Sequence, residues 1–342
     1  MKKRKTLCCV VLFFLFLIIS GCNFMAEVFH GPEPEENLVI YVVGYEVNDE
    51  SKRVAMIWKN GVGTALTDGT KNAYANAIVV SGTDVYVAGQ EDGLPTLWKN
   101  GAASRLYNNS SYDSAEAQAI AVSGQDVYVA GNTREQQNIP GIGWGNVVML
   151  WKNGVSSQII TNESLRGGLA VIGSDVFCST KARWGANLWK NGVVVSYNYG
   201  ETPEAMTVSG SDVYRVLWDS YYSPPAAGFR VNNGPFNMLY RLSGGSIIDA
   251  AVVNNDVYTV GSEGNSGVIV RRNGAAVTAL SGGGLPLAAK AIAVVGSDIY
   301  AAGNIRNSGG TTVAMIWKNG TGTALTSSFN NADAAGMAVG WE

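Results

Sequence analysis

Histidine is almost missing from this chain: among 342 residues there is one, His30. Everything after residue 30 therefore lacks the imidazole that a Ser-His-Asp or Cys-His nucleophilic site requires, and cannot use imidazole to hold a metal. Cysteine is nearly as scarce. Three of the four, Cys8, Cys9 and Cys22, fall in the first 22 residues, so Cys178 has no partner in the remainder and no intrachain disulfide is expected. No apolar run reaches the roughly 18 to 20 residues of a membrane-spanning helix. Basic charge is not in surplus either, with 24 Lys and Arg against 27 Asp and Glu, which excludes a broad basic face for nucleic acid. Neither an Asp-x-Asp-x-Asp-Gly calcium loop nor a phosphate-binding glycine loop occurs; the 42 glycines are assigned to turns, and no metal or cofactor is expected.

What is present begins at the N-terminus. Lys2, Lys3, Arg4 and Lys5 precede an apolar segment from Leu7 to Ile19, after which the chain reads Ile19, Ser20, Gly21, Cys22. A basic start, an apolar stretch of about 13 residues and small residues before a cut are the marks of an export signal. The end of this segment resembles the lipobox of bacterial lipoproteins. That resemblance implies removal of residues 1–21, acylation of Cys22, and a membrane partner through the N-terminal lipid at the cell envelope, with the outer membrane favoured over the inner because Asn23 supplies no acidic retention signal. More than one acyl chain makes such anchoring stable, since each buried methylene contributes about 0.8 kcal/mol. Cleavage takes four basic residues and no acidic ones, leaving a net charge of −7. Residues 22–37, ending in "HGPEPEEN", are polar and acidic and read as a flexible tether.

The remainder, residues 38–342, repeats itself. "LWKNG" stands at 97–101, 150–154 and 188–192, and "IWKNG" at 57–61 and 316–320. "SGTDVYVAG" at 81–89 recurs as "SGQDVYVAG" (123–131), "IGSDVFCST" (172–180), "SGSDVY" (209–214), "NNDVYTVG" (254–261) and "VGSDIYAAG" (295–303), a period of about 43 residues. Each period divides into four short segments rich in β-branched and aromatic residues. The Asn-Gly of the pentapeptide is a type I′ hairpin signal, because both central residues of that turn need positive φ. Four antiparallel strands per period, about seven times, predict an all-β seven-bladed β-propeller. The last segment, "AAGMAV", lacks three following strands, and the first lacks a preceding one, so the C-terminal strand is expected to complete the N-terminal blade and close the ring. The repeated Trp is read as blade packing. It is replaced at two places, by Val231 in "FRVNNG" and Arg271 in "IVRRNG", with Asn-Gly expected to survive both. The repeated aspartates are read as turn caps, and Cys178, at the position of Val87 and Val129, as a buried strand residue.

By this pattern residues 38–342 resemble seven-bladed propeller repeat proteins, and more narrowly bacterial lipoproteins built from similar "WKNG" units. The diglycine of Kelch repeats, the Trp-Asp of WD40 units and the arginine cluster and Ser-x-Asp-x-Gly-x-Thr-Trp turns of sialidase-type propellers are all missing. The resemblance implies a fold and names no ligand.

Function is expected on the face with the long, varied loops. Three consecutive repeats place aromatic residues there: Trp144 in residues 132–146, Trp184 in "KARWGAN", and Trp218, Tyr221 and Tyr222 in "LWDSYYSPP". With Arg134, Arg183 and Asp219 nearby they could bind a sugar ring, a peptide or a protein by stacking, or could simply pack their own loops. A second candidate is the position four residues before the last valine of each inner strand: Asn76, Gln118, Gly167, Glu204, Ile248, Lys290 and Ala335. Glu204 and Lys290 there could hold a polar ligand. The main reading is a monomeric binding or scaffold module. The alternative is a carboxylate-based glycan hydrolase or lyase, with Glu204 and Asp249 as acid and base.

Overall fold

The computed structural model describes residues 37–106, 115–139, 142–241, 245–263, 267–281, 285–327 and 329–342. The export segment, Cys22 and nearly all of the tether lie outside the described residues. The described residues form 28 strands and no helix, hence no helix long and apolar enough to cross a membrane.

The strands group in fours. Unit 1 holds β1 (Leu38–Val47), β2 (Arg53–Lys59) and β3 (Val62–Ala65); unit 2 holds β4 (Ala73–Ser81), β5 (Asp84–Glu91), β6 (Leu94–Lys99) and β7 (Ala102–Arg105). Unit 3 comprises β8 (Ala115–Ser123), β9 (Asp126–Ile139), β10 (Ile142–Lys152) and β11 (Val155–Thr161). In unit 4 are β12 (Ser164–Ile172), β13 (Asp175–Ala182), β14 (Gly185–Lys190) and β15 (Val193–Tyr199), and in unit 5 β16 (Glu201–Ser209), β17 (Asp212–Asp219), β18 (Ala226–Val231) and β19 (Asn237–Arg241). Unit 6 runs through β20 (Gly245–Val253), β21 (Asp256–Glu263), β22 (Val268–Arg272) and β23 (Ala275–Ala279), and unit 7 through β24 (Leu285–Val295), β25 (Asp298–Arg306), β26 (Thr312–Lys318) and β27 (Thr321–Ala324). The final strand, β28 (Ala332–Trp341), pairs antiparallel with β1 from Leu38↔Trp341 to Glu46↔Ala332 and supplies the fourth strand of unit 1. The inner strands of successive units are neighbours, and β28 lies beside both β24 and β4. The architecture is that of β-propeller blades.

Seven separate sheets are expected from the repeat, and six occur: five of four strands and one of eight, in which units 4 and 5 join through the parallel pair Gly167↔Ala205. Glycine allows this. A Cβ on Gly167 would stand 3.1 Å from the Pro203 Cβ and 3.3 Å from the Ser179 Cβ, and both Gly167 and Gly168 have positive φ.

The pentapeptide is one half of a network whose other half is the Asp-Val-Tyr segment. In unit 2, Asn100 sits in the left-handed region at φ 50°, its side-chain oxygen accepts the Val85 N–H at 2.8 Å and its amide donates to Asp84 at 2.8 Å. The other oxygen of Asp84 pairs with Lys99 at 2.7 Å and accepts the Tyr86 hydroxyl at 3.1 Å, while the Lys99 ammonium lies over the Tyr86 ring. The same set recurs at Asp126, Tyr128, Lys152 and Asn153, and at Asp298, Tyr300, Lys318 and Asn319. Unit 4 uses Phe177 in place of Tyr, and unit 6 uses Arg272 in place of Lys. In unit 1, Glu342 takes the part of the aspartate, pairing with Lys59 at 2.6 Å and accepting the Tyr41 hydroxyl at 3.3 Å. The aspartates thus do more than cap a turn: each ties the second strand of its unit to the third.

Three expectations need correction. The register Tyr214↔Val231 in unit 5 matches Tyr86↔Lys99 in unit 2, so Arg230 holds the Trp position and Val231 the Lys position. The Asn-Gly turn does not survive there: Asn232 keeps φ 53° but is followed by Asn233, because an inserted residue lengthens the loop before β19. Residues 132–146 are also not a loop. β9 and β10 continue as a hairpin, paired from Lys152↔Tyr128 out to Ile142↔Ile139.

Each inner strand carries a register shift at the variable position singled out above. The pairing skips Asn76, Gln118, Glu204, Ile248, Lys290 and Ala335, and in unit 4 both Arg166 and Gly167. A bulge leaves one residue outside the ladder and bends the strand. It also explains the glycine of "DVYVAG": a Cβ on Gly89 would meet the Tyr74 carbonyl oxygen at 1.9 Å, and one on Gly131 the Glu116 oxygen at 1.9 Å.

The core lies between units. Tyr86 and Ala88 of unit 2 pack against Val129 and Trp151 of unit 3, and Tyr128 and Ala130 of unit 3 against Cys178 and Trp189 of unit 4. Trp58, Trp98, Trp151 and Trp317 are fully buried in such contacts. Burial pushes the Cys178 thiol up to about 12, so it is an inert packing group.

Asp84, Asp126, Asp175, Asp256 and Asp298 are all held below the usual carboxylate range, chiefly by the Lys or Arg hydrogen bond and next by the Asn amide. A depressed folded pKa stabilises the fold above the unfolded value of about 3.9 and loses that contribution as pH falls through the folded value. The melting temperature should therefore drop as pH is lowered below about 4. Asp298→Asn, followed by calorimetry across the same range, should make the acid decline shallower.

Candidate functional site

At and beside the bulges, polar side chains make hydrogen bonds along an inner strand or to the next one. Asn76 donates to Glu116 and to the Ala117 carbonyl of unit 3, both at 2.9 Å, and Gln118 donates to Glu116 at 3.2 Å. Arg166 of unit 4 holds both oxygens of Glu204 of unit 5, at 2.8 and 3.0 Å. Asp249 of unit 6 accepts the Ile292 N–H of unit 7 at 2.9 Å, and Lys290 of unit 7 pairs with Asp333 of β28, which also takes the Asn304 amide at 2.5 Å. Glu204 and Lys290 are thus parts of a belt that joins units. They are not free ligand groups. Burial raises the Glu204 pKa against the pull of Arg166, and it pushes the Asp249 carboxyl up to about 6 although that residue keeps some accessible surface. Each of the two carboxylates proposed as an acid/base pair already has a partner within the belt.

Between units 2, 3 and 4, and lined in part by Glu116 of this belt, lies an open pocket of about 350 Å³ bordered by the base of the β9–β10 hairpin. Gln90, Glu116, Asn132, Arg134, Asn146 and Ser164 take part in its lining, with Ala115. Asn132 is locked in place, accepting the Leu165 N–H at 2.7 Å and donating to Gln118 at 2.6 Å, and Asn146 donates to Ser164 at 3.0 Å. Sequence reasoning found Arg134 but missed the amides Asn132 and Asn146, which belong to paired strands of a stretch read as a loop. Trp144 lies on β10 opposite Gln136; its side chain is outside the described residues.

The other aromatic candidates divide. Trp184 is 59% exposed on the β13–β14 turn, with the Arg183 guanidinium over its ring at 5.0 Å. Tyr221 is 72% exposed and lies against Gly200, where a Cβ would come within 2.6 Å of its ring; it meets Tyr199 at a centroid distance of 5.7 Å. The Gly200 N–H donates to the Trp184 carbonyl at 2.9 Å, which brings Trp184, Tyr199 and Tyr221 to one rim between units 4 and 5. Tyr199 was not foreseen, because it belongs to a strand and not to a loop. Trp218 and Tyr222 are packing residues instead. Trp218 sits within β17, paired with Ala227, and packs on the core between units 5 and 6. Tyr222 stacks on Phe236 at 6.1 Å beneath the Arg241 guanidinium.

No protein-family model matches the chain, and no curated protein does. Among solved structures the chain is similar to a puromycin-hydrolyzing peptidase of Mycobacterium tuberculosis, with 10% identity, a TM-score of 0.58, and coverage of 84% of this chain and 51% of that one. It is similar to the acylaminoacyl peptidase of Pyrococcus horikoshii at 14% identity and a TM-score of 0.52, covering 85% and 52%. The β-propeller domain of the Trilobed protease from Pyrococcus furiosus aligns over 84% and 81% at 10% identity, with a TM-score of 0.40. The chain spans about half the length of the two peptidases, and at these identities the likeness concerns fold alone.

The split among the aromatic residues is measurable. Trp218→Ala should lower stability by about 2 kcal/mol or more, as large-to-small changes in packed sites do. Trp184→Ala and Tyr221→Ala should each stay within about 0.5 kcal/mol, as exposed substitutions do. Urea unfolding of the three variants separates the two groups, and a large loss in Trp184→Ala would remove it from the candidate surface.

Proposed function

We propose that this chain is a binding module of the bacterial cell envelope: seven four-stranded blades closed into a ring by β28, tethered through lipid on Cys22, and recognising a glycan on the loop face. The observation that carries the reading is the exposed aromatic rim of Trp184, Tyr199 and Tyr221, three rings that face solvent where a folded chain gains nothing by placing them. The pocket between units 2, 3 and 4 supports a sugar as ligand, since its fixed amide and hydroxyl groups can pair with several ring hydroxyls at once. The cyclic order of inner strands and the β28–β1 pairing support the closed ring, and the lipobox-like residues before Cys22 support the anchor. Binding is favoured over carbohydrate hydrolysis because Glu204 and Asp249 are engaged in the inter-unit belt. The peptidase activities belong to the similar structures. This chain has no histidine among its described residues with which to support a serine nucleophile.

Residues 37–342 applied to a glycan and peptide array should retain glycans, and Trp184→Ala or Tyr221→Ala should weaken the same spots by about 1 to 3 kcal/mol, as loss of an interface anchor does. Retention of peptides alone would overturn the glycan reading; retention unchanged in both variants would overturn the rim. For the anchor, the full chain expressed in a bacterium should label with palmitate and partition into detergent, and Cys22→Ser should do neither. Equal labelling of the two forms would rule the lipid out.

A further inference from the structure

The contact between units 4 and 5 is built differently from the rest. Six apolar clusters each span two consecutive units, and among the described residues none spans units 4 and 5. The cause is in two positions of unit 5. Arg215 stands where unit 2 has Val87, and Arg230 where it has Trp98. Arg215 is 0% exposed, yet its Nε and Nη1 have no hydrogen-bond partner. Its Nη2 makes three long contacts, to Ser196 at 3.4 Å, Asn198 at 3.3 Å and the Asn232 carbonyl at 3.5 Å.

The carboxylate that acts on it, Glu201, is already committed elsewhere. Glu201, 2% exposed, is taken by Arg230 through bonds of 2.6, 3.0 and 3.2 Å, and Arg230 Nη1 donates to the Gly234 carbonyl at 2.8 Å. Lys181 adds a further cation, donating to the Glu201 carbonyl at 3.1 Å and to Thr202 at 2.9 Å. Asp219, farther along the same face of β17, accepts the Tyr221 N–H at 2.8 Å and no bond from Arg215. The buried Ser179 hydroxyl, next to the Gly167–Pro203 contact that joins the two units, also has no partner. Two guanidinium groups therefore share one carboxylate. An unpaired charge with unmade hydrogen bonds is the costliest arrangement a protein interior can hold, and a counter-ion removes the cost.

We propose that the interface between units 4 and 5 is an anion site, in which Arg215 holds one small monovalent anion, chloride or an ion of similar size, buried between the two units. Once Arg230 has claimed Glu201, the single enclosed guanidinium of Arg215 is left without a carboxylate, and that one charge sets the charge of the ligand. Full enclosure of Arg215 sets its size and excludes phosphate esters and polyanions. Arg215 is enclosed whereas Trp184, Tyr199 and Tyr221 are exposed, and occupancy of the site would alter the stability of the unit 4–unit 5 contact.

The test is the melting temperature of residues 37–342 at constant ionic strength while sodium gluconate, too large to enter, is replaced by sodium chloride. A ligand bound by the native state alone raises the melting point in a saturable way, here by about 2 °C or more. Arg215→Val, which restores the side chain found at Val87, should abolish the chloride response while raising the melting temperature in gluconate. Equal chloride responses in the two proteins, or no response in the wild type, would overturn the proposal. Should the variant not fold, crystals of the wild-type protein grown in sodium bromide decide: an anomalous peak at hydrogen-bond distance from the Arg215 guanidinium supports the site, and its absence there rejects it.

Discussion

The interaction on which the rest of the structure depends is the one made by the turn asparagine. Held at positive φ, Asn100 and its counterparts turn the chain from third strand to fourth and at the same time reach back to the second strand with both ends of the amide. One residue thereby fixes a turn, a register and the position of an aspartate. The aspartate then receives the lysine one place before the asparagine, and the lysine covers the tyrosine two places after the aspartate. Each exposed ion pair adds little alone. Repetition in nearly every unit, on a backbone already set by the asparagine, makes them a frame.

Once that frame aligns the second and third strands, the tryptophan of the pentapeptide must face the preceding unit, and the core must form between units and not within them. A unit of four strands cannot bury both of its faces alone, which is why the fold requires neighbours on either side. The bulge in each inner strand follows from the same crowding. It bends the strand, brings a carbonyl close to the glycine of the second strand in units 2 and 3, and in several units releases a polar side chain that binds the adjacent unit. Where the bulge residue is polar, much of the variation is inter-unit pairing: Asn76 with Glu116, Arg166 with Glu204, Lys290 with Asp333.

Departures from the pattern gather in units 3 to 5. The β9–β10 hairpin lengthens, unit 4 gives up the inner-strand regularity at Gly167 and Gly168, and unit 5 exchanges an apolar pair for Arg215 and Arg230. Aromatic rings surface at the same place, in Trp184, Tyr199 and Tyr221. A series of repeats gains no stability from breaking its own rules in adjacent members, which marks units 3 to 5 as the candidate functional region.

Much of this was legible in the residues. The period of about 43, the Asn-Gly turns and the apolar alternation determined the strands, their grouping in fours and the burial of the repeated tryptophan, because turn chemistry and side-chain alternation act within a few residues of the chain. Sequence by itself also singled out the bulge positions, as the places where one repeat differs from the next. Only the tertiary structure decided what those positions do. Whether Glu204 is a free acid depends on Arg166 in another unit, whether Trp218 is displayed depends on the core shared with unit 6, and whether Arg230 or Val231 replaces the tryptophan depends on a register that one inserted residue shifts. Pairing across a boundary between repeats joins residues some 40 positions apart, and no local pattern of propensity or period records which side chain lies on the other side.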